Sequence, residues 1–129
     1  LPVLVKAAVA HVQFETIHPF LDGNGRLGRL LITFILCTEG ILKKPLLYLS
    51  LYLKSNRQAY YDHLQSVRET GDWEAWLAFF LTGVIETANQ ATETAQLVIQ
   101  LFTDDRERIE SSGKATAALL TIHGFLQNN

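Results

Sequence analysis

The stretch IHPFLDGNGRLGRLL, Ile17 to Leu31, crowds a histidine, a proline, a carboxylate, glycines, an asparagine and two arginines into a Leu-rich chain. A helical core has no use for that collection, whereas a site that handles phosphate does. Gly23-Asn24-Gly25 stands directly before a run of helix-forming residues. Glycine permits φ > 0 and lets a ligand approach the backbone closely. Successive N–H groups in such a turn form an anion-binding concavity. The helix behind it adds unpaired donors and the positive end of its dipole. The Asn24 side-chain amide can supply a further donor. Arg26 and Arg29 are three apart at the start of that helix and so share one side of it. Two guanidinium forks above a phosphate nest suit a polyphosphate better than a single phosphate.

Asp22 stands just ahead of the nest. A carboxylate beside phosphates repels them unless a divalent cation lies between, and Mg²⁺ binds through one or two carboxylates plus phosphate oxygens. Asp22 is therefore a candidate Mg²⁺ ligand; the alternative is a side-chain turn to its own backbone. His18 sits at the other lip of the loop, and imidazole is the side chain that changes charge near neutral pH. It is a candidate general base, which requires an acceptor hydroxyl within hydrogen-bond reach. Pro19 biases His18 toward an extended backbone, and Phe20 is expected to point inward and pin the loop.

These residues need helices to hold them. Residues 3–16 carry Val, Ala and Leu without Gly or Pro, apolar on nearly every face, which predicts a buried helix ended by Pro19. Leu27, Leu30, Leu31, Phe34, Ile35 and Thr38 recur at helical spacing as the buried stripe of a second helix that stops at Gly40. ILKKPLLYLSLYL reads as a connector with about one helical turn. Ser55 or Asn56 caps a third helix through about Thr70, and Gly71 ends it. Asp72 caps a fourth, from Trp73 to about Arg108, kinked near Gly83. Trp73, Trp76, Leu77, Phe79, Phe80 and Val84 read as core. SSG at 111–113 reads as a hinge, and 114–127 as a further amphipathic helix. No strand alternation or repeat is found, so the fold class is all-α. The expected division is a core carrying the loop over 1–110, then a hinge and helical segment over 111–129.

The chain has 129 residues, 48% of them hydrophobic and 19% charged, which suits a packed domain. A formal net charge of −2 gives no general attraction to nucleic acid or anionic membranes, so an anion site must be local. No apolar run reaches the ~18–20 residues of a membrane span. The single cysteine, Cys37, excludes an internal disulfide framework and suits a reducing cytoplasm, where it reads as a small core residue. The chain has no Met and begins inside an apolar pattern, which suggests an internal piece of a longer protein. A metal-enzyme reading is weaker. His11, Glu15 and His18 fall at helical offsets, but the Glu-x-x-His pair of di-iron bundles is needed on two helices and occurs here on one. His11 and Glu15 are expected instead as a buried hydrogen-bonded pair behind the loop.

HPFLDGNGRLGR, His18 to Arg29, resembles in full the Fic-domain motif, His-x-Phe-x-Asp/Glu-Gly-Asn-Gly-Arg-x-x-Arg. NRQAYYDHLQSVRETGDWEAWLAFFL is similar to the segment that follows it in bacterial Fic proteins. The resemblance covers most of the chain, as a helical pattern through about Arg108. It implies the C-terminal part of a Fic-type helical bundle and an enzyme transferring AMP from ATP to a Ser, Thr or Tyr hydroxyl of a target protein. In that scheme His18 activates the hydroxyl and Asp22 holds Mg²⁺. Gly23, Asn24 and Gly25 cradle the phosphates, and Arg26 and Arg29 bind the polyphosphate, Arg29 nearest the γ phosphate. Tyr60 and Tyr61 match a paired tyrosine at the nucleobase, with ordinary core tyrosines as the alternative. The family's β-hairpin flap and first helices have no counterpart here. The nearest match to its inhibitory helix, Thr82 to Glu86, is followed by Thr87, so the piece alone need not be active. The terminal GKATAALLTIHGFLQNN is similar to the first helix of a winged-helix domain, the one route by which nucleic acid would become a partner; self-association is left open. Two alternatives stand beside AMP transfer: transfer of another phosphate-containing group on the same scaffold, or a non-catalytic nucleotide-binding helical module.

Overall fold

The computed structural model describes residues 1–43, 48–111 and 116–128. The order is α1 (Val3–Ile17), α2 (Asn24–Thr38), α3 (Leu49–Ser55), α4 (Arg57–Thr70), α5 (Trp73–Ser111) and α6 (Thr116–Asn128). No strand occurs among the described residues, and the fold is all-α. Two compact units divide at Asn89, within the length of α5.

The first unit, Leu1–Asn89, holds the core. Trp76 and Phe80 of α5 are fully buried and meet Ala7, Ala8 and Val12 of α1, Ile32 and Leu36 of α2, Leu49 and Leu53 of α3, and Tyr60, Leu64 and Val67 of α4 in one apolar cluster. The Trp76 indole N–H donates to the Ala8 carbonyl at 3.2 Å, so the buried ring leaves no unpaired donor. Gly28 lets α1 and α2 approach closely. A Cβ there would fall on Glu15 Oε1 and lie 3.1 Å from His11 Cε1. α5 runs as one helix past Gly83, where the missing side chain makes room for the Tyr52 ring.

The buried stripe of α2 differs from the predicted one. Asn24, Gly28, Ile32 and Leu36, spaced four apart, face inward, with Leu31 and Ile35 partly covered. Leu30 and Phe34 are 61% and 63% exposed. Counting large apolar residues picks the wrong side, because the close α1 contact selects small residues, Asn24 and Gly28, at the same spacing.

The helix ends follow local chemistry. Gly71 closes α4 at φ 71°, and Asp72 Oδ1 accepts the Ala75 N–H at 3.1 Å, capping α5. Asn56 occupies the N-cap of α4 but does not cap it; its amide donates back to the Tyr52 carbonyl of α3 at 3.0 Å. In the second unit, Gln90–Asn129, the His123 ring of α6 meets Phe102 edge-on at 5.3 Å. Residues 112–113 of the expected hinge lie outside the described residues; Ser111 is the last residue of α5.

Candidate functional site

The loop from His18 to Gly23 joins α1 to α2. His18 adopts a left-handed backbone, φ 48° and ψ 56°, not the extended one that Pro19 favours, and its N–H donates to the Phe14 carbonyl at 3.0 Å. Left-handed geometry costs an L-residue roughly 1–2 kcal/mol, and histidine is among the types that adopt it more readily. The imidazole is left on an exposed residue.

Gly23 supplies the second reversal, at φ 82°, and its carbonyl accepts from both the Arg26 and Leu27 N–H groups at 3.0 Å. No side chain caps α2. Its first turn therefore keeps the open donors and positive dipole end expected for an anion site. Both arginines fold back over the loop, as helical side chains lean toward the N-terminus. A Cβ at Gly23 would lie 3.5 Å from Arg26 Nη2, and one at Gly25 would lie 3.3 Å from Arg29 Nη1. Asp22 is highly exposed, and one of its oxygens is 3.5 Å from Arg26 Nη2.

Asn24 closes the loop on itself. It is buried, its Oδ1 accepts the Phe20 N–H at 3.0 Å, and its Nδ2 donates to the Phe20 carbonyl at 2.5 Å. One of its two amide hydrogens is thereby committed to closing the loop. Phe20 is likewise pinned by its backbone rather than its ring, which is 51% exposed and 6.3 Å from Phe14.

Behind the loop lies a buried polar cluster. His11 Nε2 and the Tyr60 hydroxyl share a hydrogen bond at 2.9 Å, and His11 stacks on Trp76 at 5.9 Å. The expected His11–Glu15 bond is not formed; Tyr60, distant in sequence, takes the imidazole instead. His11 Nδ1 and Glu15 Oε1 are buried without a hydrogen-bond partner among the described residues. Burial lowers the His11 imidazole to about 4, with the Arg29 charge adding to the shift and the Gly28 backbone opposing it. Burial raises the Glu15 carboxyl, against the pull of His18, Arg29 and Arg68. Arg68, which the sequence reading passed over, reaches across from α4. Its Nη2 donates to the Glu15 carbonyl at 2.9 Å and its Nε to Thr16 Oγ1 at 3.3 Å. An arginine in the last turn of a helix gives no sign in sequence of capping a different one.

The paired tyrosines part ways. Tyr60 is 3% exposed, and burial pushes its hydroxyl well above the usual tyrosine range. Tyr61 is half-exposed, with the Arg57 guanidinium 5.6 Å from its ring centroid. Both line a cavity of about 330 Å³ that Arg29 also reaches.

The loop and its flanking helices coincide with a known family. Residues 1–36, from α1 through most of α2, match the Fic/DOC family model. Over this stretch the chain is similar to the Fic/DOC family. A "probable protein adenylyltransferase" of Aquifex aeolicus is 42% identical over 57 residues, covering 44% of this chain and 18% of that protein. The protein adenylyltransferase Fic of Aedes aegypti is 41% identical over 73 residues, 57% of this chain and 13% of that protein. Its counterpart in Drosophila grimshawi is 33% identical over 73 residues, 57% of this chain and 14% of that protein. The chain described here thus spans less than a fifth of the length of each of these relatives.

Proposed function

We propose that this chain carries the catalytic loop of a Fic-type protein adenylyltransferase, which moves AMP from ATP to a Ser, Thr or Tyr hydroxyl of a target protein. The observation that carries the reading is the uncapped start of α2 with both Arg26 and Arg29 folded back over the loop glycines. Open N–H groups and two guanidiniums suit the triphosphate. The exposed imidazole of His18 takes the proton of the acceptor hydroxyl. That oxygen then bonds to the α phosphorus, and the bond to the β-phosphate oxygen breaks, releasing pyrophosphate. Arg26 and Arg29 balance the charge on the departing phosphates. Asn24 acts by holding the loop shut.

The donor set fits an ion that arrives with the nucleotide. No group of three or more His, Cys, Asp or Glu side chains could hold a metal among the described residues, whereas Asp22 offers one exposed carboxylate. Mg²⁺ held by one carboxylate and phosphate oxygens would neutralise phosphate charge there. No helix among the described residues is long and apolar enough to cross a membrane.

Incubating the full-length protein with each α-labelled nucleotide and Mg²⁺ tests the activity and its donor. Label from ATP is expected on a protein hydroxyl. His18→Ala should reduce transfer by at least ~10²-fold, the usual worth of a general base. Unchanged transfer in that variant would overturn the enzyme reading.

A further inference from the structure

The cavity of about 330 Å³ is lined by Arg29 of α2, Ser50, Leu53 and Lys54 of α3, and Arg57, Tyr60 and Tyr61 of α4. Three helices each send one cation to it, and no carboxylate lines it. Among the described residues, Lys6, Arg26 and Arg106 have ion-pair partners, whereas Arg29, Lys54 and Arg57 have none. In a chain of net charge −2, three positive groups around one hollow call for a negative occupant. Leu53 and Tyr60, both buried, make an apolar floor that lowers the local dielectric and strengthens the attraction. Ser50 adds a hydroxyl donor.

The aromatic rings offer less than their number suggests. The Tyr60 hydroxyl is engaged by His11, and its ring belongs to the core. The Tyr61 ring already carries the Arg57 guanidinium. A purine would have to displace a cation from the one half-open ring, whereas an anion would gain that cation. Arg29 belongs to both places, with Nη1 beside Gly25 and its side chain on the cavity wall. A phosphate chain lying along the start of α2 therefore runs toward Lys54 and Arg57.

We propose that Lys54 and Arg57 bind the terminal phosphates of the nucleotide, and that the cavity is a polyphosphate pocket rather than a nucleobase pocket. This rests on the nucleotide reading for its ligand, but the anion chemistry can be probed without a nucleotide. Calorimetry would compare inorganic tripolyphosphate and ATP on the full-length protein, on Lys54→Gln/Arg57→Gln, and on Lys6→Gln/Arg106→Gln, which removes the same charge elsewhere. Both probes should bind about 10- to 100-fold more weakly to the first variant, as expected for losing two charge-assisted contacts at exposed positions. The second variant should match the unmodified protein. Equal weakening in the two variants would mean a general field effect and overturn the proposal. Unchanged binding of both probes by the first variant would overturn it while leaving the nucleotide reading intact. Tripolyphosphate binding that depends on Lys54 and Arg57, with no ATP binding, would sustain the pocket and sink the nucleotide reading. Failure of the unmodified protein to bind either probe would end both.

Discussion

Gly83→Ala should change sign with its neighbour. A methyl carbon at 83 would lie 2.5 Å from Tyr52 Cε1 and 3.1 Å from Cγ, with Cδ1 nearer still, where ordinary contact begins near 3.4 Å. The Tyr52 ring must retreat by roughly 1 Å, against Phe79 at 5.4 Å, and such overpacking costs about 1–3 kcal/mol. Alanine in place of a mid-helix glycine returns about 1 kcal/mol. The net expectation is a loss of about 1 kcal/mol, or roughly 3–5 °C in Tm for a chain of this size. In a Tyr52→Ala background the obstacle is gone, and the same substitution should stabilise by about 1 kcal/mol. Urea unfolding of all four variants gives the coupling directly. If Gly83→Ala stabilises both backgrounds equally, the steric role of Gly83 is refuted. The site is at stake too, because Tyr52 precedes Leu53 and Lys54 on α3, and a displaced ring would shift the cavity wall.

Two further outcomes follow from the polar groups. His11 is held at about 4 when folded, against 6.5 ordinarily, so the unfolded chain takes up the proton first as pH falls. Stability should be fully present above pH 6.5 and decline toward pH 4 by about 3 kcal/mol, partly offset by Glu15, whose raised carboxyl costs stability as pH rises through 4.5; Glu15→Gln should therefore steepen the acid decline seen in denaturant titrations. Asn24→Ala strips both Phe20 backbone groups of their partner and should cost about 1–2 kcal/mol of stability together with ATP affinity; lost affinity at unchanged stability would mean that Asn24 contacts phosphate directly.

The helices were legible because their punctuation is local. Pro19, Gly40, Gly71 and Asp72 each act on neighbouring backbone, and each stands where its chemistry predicts an end or a start. The core aromatics of α5 were legible for the same reason, since Trp and Phe at helical spacing have few other uses. What failed was everything decided by a distant partner. The inward face of α2 depends on Gly28 meeting His11 and Glu15. His11 finds Tyr60 rather than Glu15 because α4 packs beside α1. Tyr60 and Tyr61 look alike in sequence, yet successive helical positions point about 100° apart, so one enters the core and the other the rim.

Arg68 anchors the last turn of α1 from α4, through the Glu15 carbonyl and the Thr16 hydroxyl, just before the chain turns at His18. The loop is therefore not a portable cassette. Grafting residues 18–29 between two other helices would carry across every recognisable letter of the motif and leave behind the guanidinium that tethers its leading edge. Redesign of this site has to treat α4 as part of the hinge post, and substitutions remote in sequence will govern how well the motif performs.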